Sequence, residues 1–103
     1  MKININKEEF DVKYTIRSLF IFEQITGKKF ELKNTLDNYI FFYALLLANN
    51  PDKNVPEWDV FIDAMDNDPN ILRQFLKYLQ EYNRTQKIFE SEETDPETGE
   101  KKN

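Results

Sequence analysis

Thr35-Leu-Asp-Asn-Tyr-Ile-Phe-Phe-Tyr-Ala-Leu-Leu-Leu-Ala48 is apolar on nearly every side when wound as a helix. Leu36, Ile40, Tyr43 and Leu47 share one face. Phe41, Leu45 and Ala48 lie roughly opposite, with Phe42 beside them. A helix that is apolar all round is covered all round, so this segment, over about 36–48, is expected at the centre of the fold. Thr35 is the expected cap, Asp37 suits the first turn, and Asn49-Asn50-Pro51 ends the helix. Two accounts of Phe41, Phe42 and Leu45 stay open. They form a core, or they complete their burial against another polypeptide, including a second copy of this chain.

Towards the N-terminus the period changes from helical to two. Ile3 and Ile5 alternate with polar residues, as do Phe10, Val12, Tyr14 and Ile16, and Asn6-Lys7-Glu8-Glu9 separates the two runs. This pattern gives a β-hairpin at 2–15 with one apolar face, which needs something to lie on. Thr15 then caps a helix over about 16–26 that ends at Gly27. Leu19, Phe20, Phe22 and Ile25 give that helix a broad apolar face.

Towards the C-terminus, Pro51 and Pro56 bound a polar loop. A helix at about 56–65 carries Trp58, Phe61, Ile62 and Met65. Asp68-Pro69 reads as cap and first residue of a last helix, about 69–88, with the stripe Ile71, Leu72, Phe75, Leu76, Leu79 and Tyr82. Phe75, Tyr78 and Tyr82 join Phe41, Phe42 and Leu45 as candidate protein-binding residues. Residues 90–103 contain no apolar side chain and carry −4 of the chain's net −5. They read as a disordered acidic tail. The expected fold is therefore α+β and mostly α: a hairpin packed on a bundle of about four helices, one compact domain over 1–89, and the tail.

Composition narrows the chemistry. The 103 residues include no Cys and no His, which removes thiol nucleophiles, disulfides, the commonest general base and the commonest metal ligand. Two Gly cannot build a glycine-rich phosphate loop. Neither Ser18 nor Ser91 has a histidine to activate it. An acidic chain without a basic face is a poor ligand for nucleic acid. The longest apolar run, Tyr39 to Ala48, is half of what a membrane helix needs, and the polar N-terminus lacks a signal-peptide core. Asn83-Arg84-Thr85 matches a glycosylation pattern by chance in such a chain. A non-catalytic binding module without cofactor or metal is expected.

Three motifs have plain structural readings. Asp66-Asn67-Asp68-Pro69-Asn70 imitates the start of a calcium loop, but Ile71 stands where Gly is required and Lys77 where Glu is required, so a cap and turn are expected. Glu23 sits in an apolar helix with Arg17 off its face and needs a partner from elsewhere. Lys28, Lys29 and Lys33 interleave with Phe30 in what reads as a solvated connector.

Tyr14-Thr-Ile-Arg-Ser-Leu-Phe-Ile-Phe-Glu-Gln-Ile-Thr-Gly-Lys-Lys-Phe30 resembles a recurring stretch in tail assembly chaperones of long-tailed bacteriophages and prophages. The matching positions are Arg17, Phe22, Glu23, Thr26, Gly27, Lys28 and Phe30. Tyr39 to Pro51 and Phe61 to Pro69 are similar to further segments, in the family's order, over roughly residues 2–82. Lys7 departs from it at a hairpin position where Gly is common, which bears on the turn type. The resemblance implies a small, mostly helical protein of the bacterial host cytoplasm that is not part of the mature virion. It implies two partners, the tape measure protein, held soluble, and the tail tube protein, recruited around it. It also implies a longer frameshifted product in many members, for which Lys101-Lys102-Asn103 would be a fitting A-rich site. A small acidic phage protein that binds and inhibits a host protein is the alternative.

Overall fold

The computed structural model describes residues 1–94, with side chains described through Arg84. In chain order the elements are β1 (Lys2–Ile5), β2 (Glu8–Asp11), α1 (Ile16–Thr26), α2 (Thr35–Asn49), α3 (Trp58–Asn67) and α4 (Asn70–Thr94). The fold class is the expected one: an N-terminal two-stranded antiparallel hairpin followed by four helices. The chain divides into two compact units, residues 1–72 and 73–103.

The hairpin is tighter than its sequence suggests. Ile3 pairs with Phe10 and Ile5 with Glu8, so Glu8 and Glu9 belong to the strand and the loop is only Asn6-Lys7. Both loop residues have positive φ, 52° and 71°, the two-residue geometry whose twist matches that of the strands. Asn tolerates this region, whereas Lys is strained there. Replacing Lys7 by glycine is expected to stabilise the fold by about 1 kcal/mol, less the entropy glycine adds to the unfolded chain. A higher denaturation midpoint at unchanged slope checks this. Ile3, Ile5, Phe10 and Val12 are at most 2% exposed and form the buried face. Met1 adds a rung, its backbone nitrogen donating to the Val12 carbonyl and its carbonyl accepting from the Val12 N–H, both at 2.7 Å. The alternation then stops: Ile16 opens α1 and is 67% exposed.

The hairpin is fastened to the end of α2 by side chains. Asn50 is 4% exposed, and its amide pairs with both backbone groups of Asp11. Its Oδ1 accepts from the Asp11 N–H at 3.0 Å, and its Nδ2 donates to the Asp11 carbonyl at 2.9 Å and to that of Leu46 at 2.9 Å. Asn49 donates to the carbonyls of Lys13 and Leu45, both at 2.8 Å. Asn49 and Asn50 thus do more than stop a helix: Asn50 supplies β2 with strand-like bonds from a helix end, and Asn49 holds the backbone just beyond the strand.

Around α1 the quoted motif turns out to be a folding device. Thr15 caps the helix, with reciprocal bonds between Thr15 and Ser18. Gly27 takes the left-handed conformation at φ 72° and donates its N–H to the Glu23 carbonyl at 2.7 Å. Any side chain would be strained at that φ. The Glu23 carboxylate reaches past the turn and accepts from the Phe30 N–H at 2.8 Å, so its partner is a backbone amide rather than a charge. Thr26 Oγ1 donates to the Phe22 carbonyl at 2.9 Å and accepts from the Lys28 N–H at 3.3 Å. Phe30 is thereby set edge-on against Phe22, their ring centroids 5.1 Å apart. The broad apolar face expected of α1 is not all buried: Phe22 is inside, but Phe20 is 60% and Ile25 48% exposed.

Helix starts differ from expectation by one or two residues. Asn34, not Thr35, caps α2, accepting from the Asp37 N–H at 3.0 Å, while the buried Asp37 carboxylate accepts from the N–H groups of Lys33 and Asn34. The first bond of α3 runs from the Phe61 N–H to the Glu57 carbonyl, and α3 ends at Asn67 instead of 65. Asp68 serves two helices. Its N–H donates to Ala64 at the close of α3, and its carboxylate accepts from the Asn70 N–H at 3.2 Å, so Pro69 precedes the helix.

In the second unit α4 exposes Arg73, Gln74, Lys77 and Gln80, buries Phe75 and Leu79, and carries a Glu81–Arg84 ion pair at 2.7 Å. The helix runs to Thr94, past the expected 88. The rest of the expected tail, 95–103, lies outside the described residues.

Candidate functional site

Successive residues of α2 point about 100° apart, so adjacent aromatics serve different clusters. Phe41 meets Phe30 at 4.8 Å, Tyr14 at 5.9 Å and Phe22 at 6.2 Å between ring centroids. Phe42 meets Phe61 of α3 edge-on at 5.5 Å. Phe41, Phe42 and Leu45 have no exposed surface, nor has Phe75. These four candidate binding residues are core in this conformation. Tyr78 and Tyr82 are half-buried on α4.

An open apolar groove lies on the opposite face of α2. Leu36, Ile40 and Tyr43, with Ile25 from α1 and Trp58 from α3, line a groove of about 350 Å³. Leu36 is 56% and Ile25 48% exposed. Tyr43 closes one end: its ring lies 5.3 Å from Trp58, nearly perpendicular, and 5.1 Å from Phe61. Its hydroxyl donates to the Pro56 carbonyl at 2.7 Å, which fixes the loop entering α3. No cue in the sequence told the two faces apart, since both are equally apolar. The faces are separated by what the connector Gly27 to Asn34 brings over α2: Phe30 covers Phe41 and leaves Leu36 bare.

Burial, and secondarily the Glu57 carboxylate nearby, raises the Tyr43 phenol above its ordinary pKa of 10.0. The folded chain therefore keeps this proton to higher pH than the unfolded chain does. Its contribution to stability is complete below pH 10.0 and is lost as pH rises through the folded value. In Tyr43→Phe that part of the alkaline decline should vanish, and neutral stability should drop by about 1 kcal/mol for the lost hydrogen bond. Unfolding curves from pH 8 to 11 check both.

A larger hollow, about 410 Å³, lies by the hairpin between Met1, Lys2, Asp11, Val12, Lys13 and Asn49. The exposed Lys2–Asp11 ion pair crosses its edge, and Asn49 is engaged in fastening the strand. Among the connector lysines, Lys28 lies 3.9 Å from the buried Asp37 carboxylate and Lys33 lies 3.5 Å from Glu31. Among the described residues no three acidic side chains gather as a metal ion would require, and no helix is long and apolar enough to cross a membrane. No protein-family profile, curated protein or solved structure matches the chain.

Proposed function

We propose that this chain is a tail assembly chaperone of a long-tailed phage or prophage. In this reading it binds the tape measure protein in the host cytoplasm, recruits tail tube subunits, and stays out of the finished virion. The observation that carries it is the open groove of Ile25, Leu36, Ile40, Tyr43 and Trp58 on a chain without Cys or His. A groove with such walls suits the apolar stripe of a helix, and long helices with exposed stripes are what a tape measure presents before assembly. The ordered motifs from Tyr14 to Pro69 support the family reading, and the groove supports this mode of binding.

The test is co-expression with the tape measure protein of the same phage or prophage. More soluble tape measure and its co-purification with this chain are expected. If neither occurs, the reading fails. Loss of the effect in Leu36→Glu, with the fold retained, would place the contact on the groove.

A further inference from the structure

The two ends of the groove differ in charge. Lys28 stands at the Leu36 end, where its ammonium reaches towards Asp37, and Lys29 beside it is exposed, with no ion pair among the described residues. At the Tyr43 end stand Glu57, close enough to act on the Tyr43 phenol, and Asp59, exposed one residue past Trp58. Among the described residues no ion pair engages Glu57 or Asp59. From Leu36 to Tyr43 is two turns of helix, about 10 Å.

We infer that the groove takes one amphipathic helix of a partner, with large aliphatic side chains at i, i+4 and i+7, an acidic residue towards Lys28 and Lys29, and a basic residue towards Glu57 and Asp59. This deepens the function proposed above and rests on the groove being the contact. The spacing follows from Leu36, Ile40 and Tyr43, which present their side chains at the same intervals. A second copy of the chain is a poor occupant, because a stable dimer buries about 800 Å² on each partner, with about 20 residues a side. Five groove residues fall far short of that. A helix with charges of opposite sign at its ends is held in one direction, which a purely apolar slot would not enforce.

Trp58 is the chain's only tryptophan and lines the groove, so its emission reports occupancy without a label. Three synthetic helical peptides share the aliphatic stripe. One carries Glu at one end and Lys at the other, one carries Lys at both ends, and one carries Glu at both. The peptide with opposite charges should shift Trp58 emission and bind about fivefold more tightly than the other two at low salt, with the gap closing at high salt. In the double variant Glu57→Lys, Asp59→Lys the preference should pass to the peptide with Glu at both ends. Equal, salt-independent binding of all three would overturn the charge assignment. No emission change with any peptide would overturn the docking site. A shift that follows protein concentration alone would assign the groove to self-association. None of these outcomes depends on the tape measure protein, so failure here and failure of the co-expression test are separable.

Discussion

Phe41→Glu should abolish folding, while Leu36→Glu, on the same helix, should leave the fold intact and remove binding. Phe41 has no exposed surface and sits against Tyr14, Phe22 and Phe30. Loss of a buried phenylalanine alone costs about 3–5 kcal/mol, and an unpaired carboxylate in its place adds several more. Small domains have about 5–15 kcal/mol in total, so the variant should lose its cooperative unfolding transition and its near-ultraviolet dichroism. Leu36, by contrast, is 56% exposed and lies in the first turn of α2, where an added negative charge meets the positive end of the helix dipole. Its thermal midpoint should stay level or rise slightly, and its affinity for an apolar helix should fall at least tenfold, about 1.4 kcal/mol. A folded Phe41→Glu would refute the placement of that ring. An unfolded Leu36→Glu would refute the openness of the groove.

The second large effect belongs to Asn50. Alanine there leaves the Asp11 N–H and carbonyl without partners, at about 1–3 kcal/mol for each group that water cannot reach. A loss of about 3 kcal/mol is expected, which lowers the thermal midpoint by about 15 °C in a domain of this size. Asn50→Asp keeps the shape and the accepting oxygen but turns the donor into an oxygen facing two carbonyls, those of Asp11 and Leu46. At neutral pH it should be worse than alanine. Burial beside two carbonyl oxygens raises the new carboxyl's folded pKa above its unfolded one. The damage is therefore full above the folded value and eases as pH falls below it, when the protonated group donates again. An Asn50→Asp variant whose deficit does not shrink on acidification would show that the amide donor is not what fastens the strand.

Much of the architecture was legible because it rests on local chemistry. Thr15, Gly27 and the period-two runs at Ile3–Ile5 and Phe10–Val12 act within a few residues, and each stands where its chemistry placed it. Boundaries shifted where a side chain had two uses. Asp68 serves both α3 and α4, and the Pro56 carbonyl is held by Tyr43 thirteen residues earlier. The choice of binding face was not legible. Phe41 and Ile40 are neighbours of similar apolarity, and only the path of the connector, bent back by Gly27 and held by Glu23 on Phe30, decides which one is covered. The fastening by Asn50 was equally silent, because a side-chain amide that mimics a strand leaves no periodic trace. What remains visible in the sequence is the residue type, which there reads as a helix stop.

That fastening spans a separation of 39 residues. On a ribosome moving at about 5–20 residues per second, β2 is made roughly 2–8 s before the residue that pins it. For that interval Ile3, Ile5, Phe10 and Val12 emerge as an uncovered greasy ribbon, long enough for a nascent-chain chaperone to engage it. Slowing translation between Asp11 and Asn50 would lengthen the wait and should raise the misassembled fraction, although no residue of the finished protein has changed.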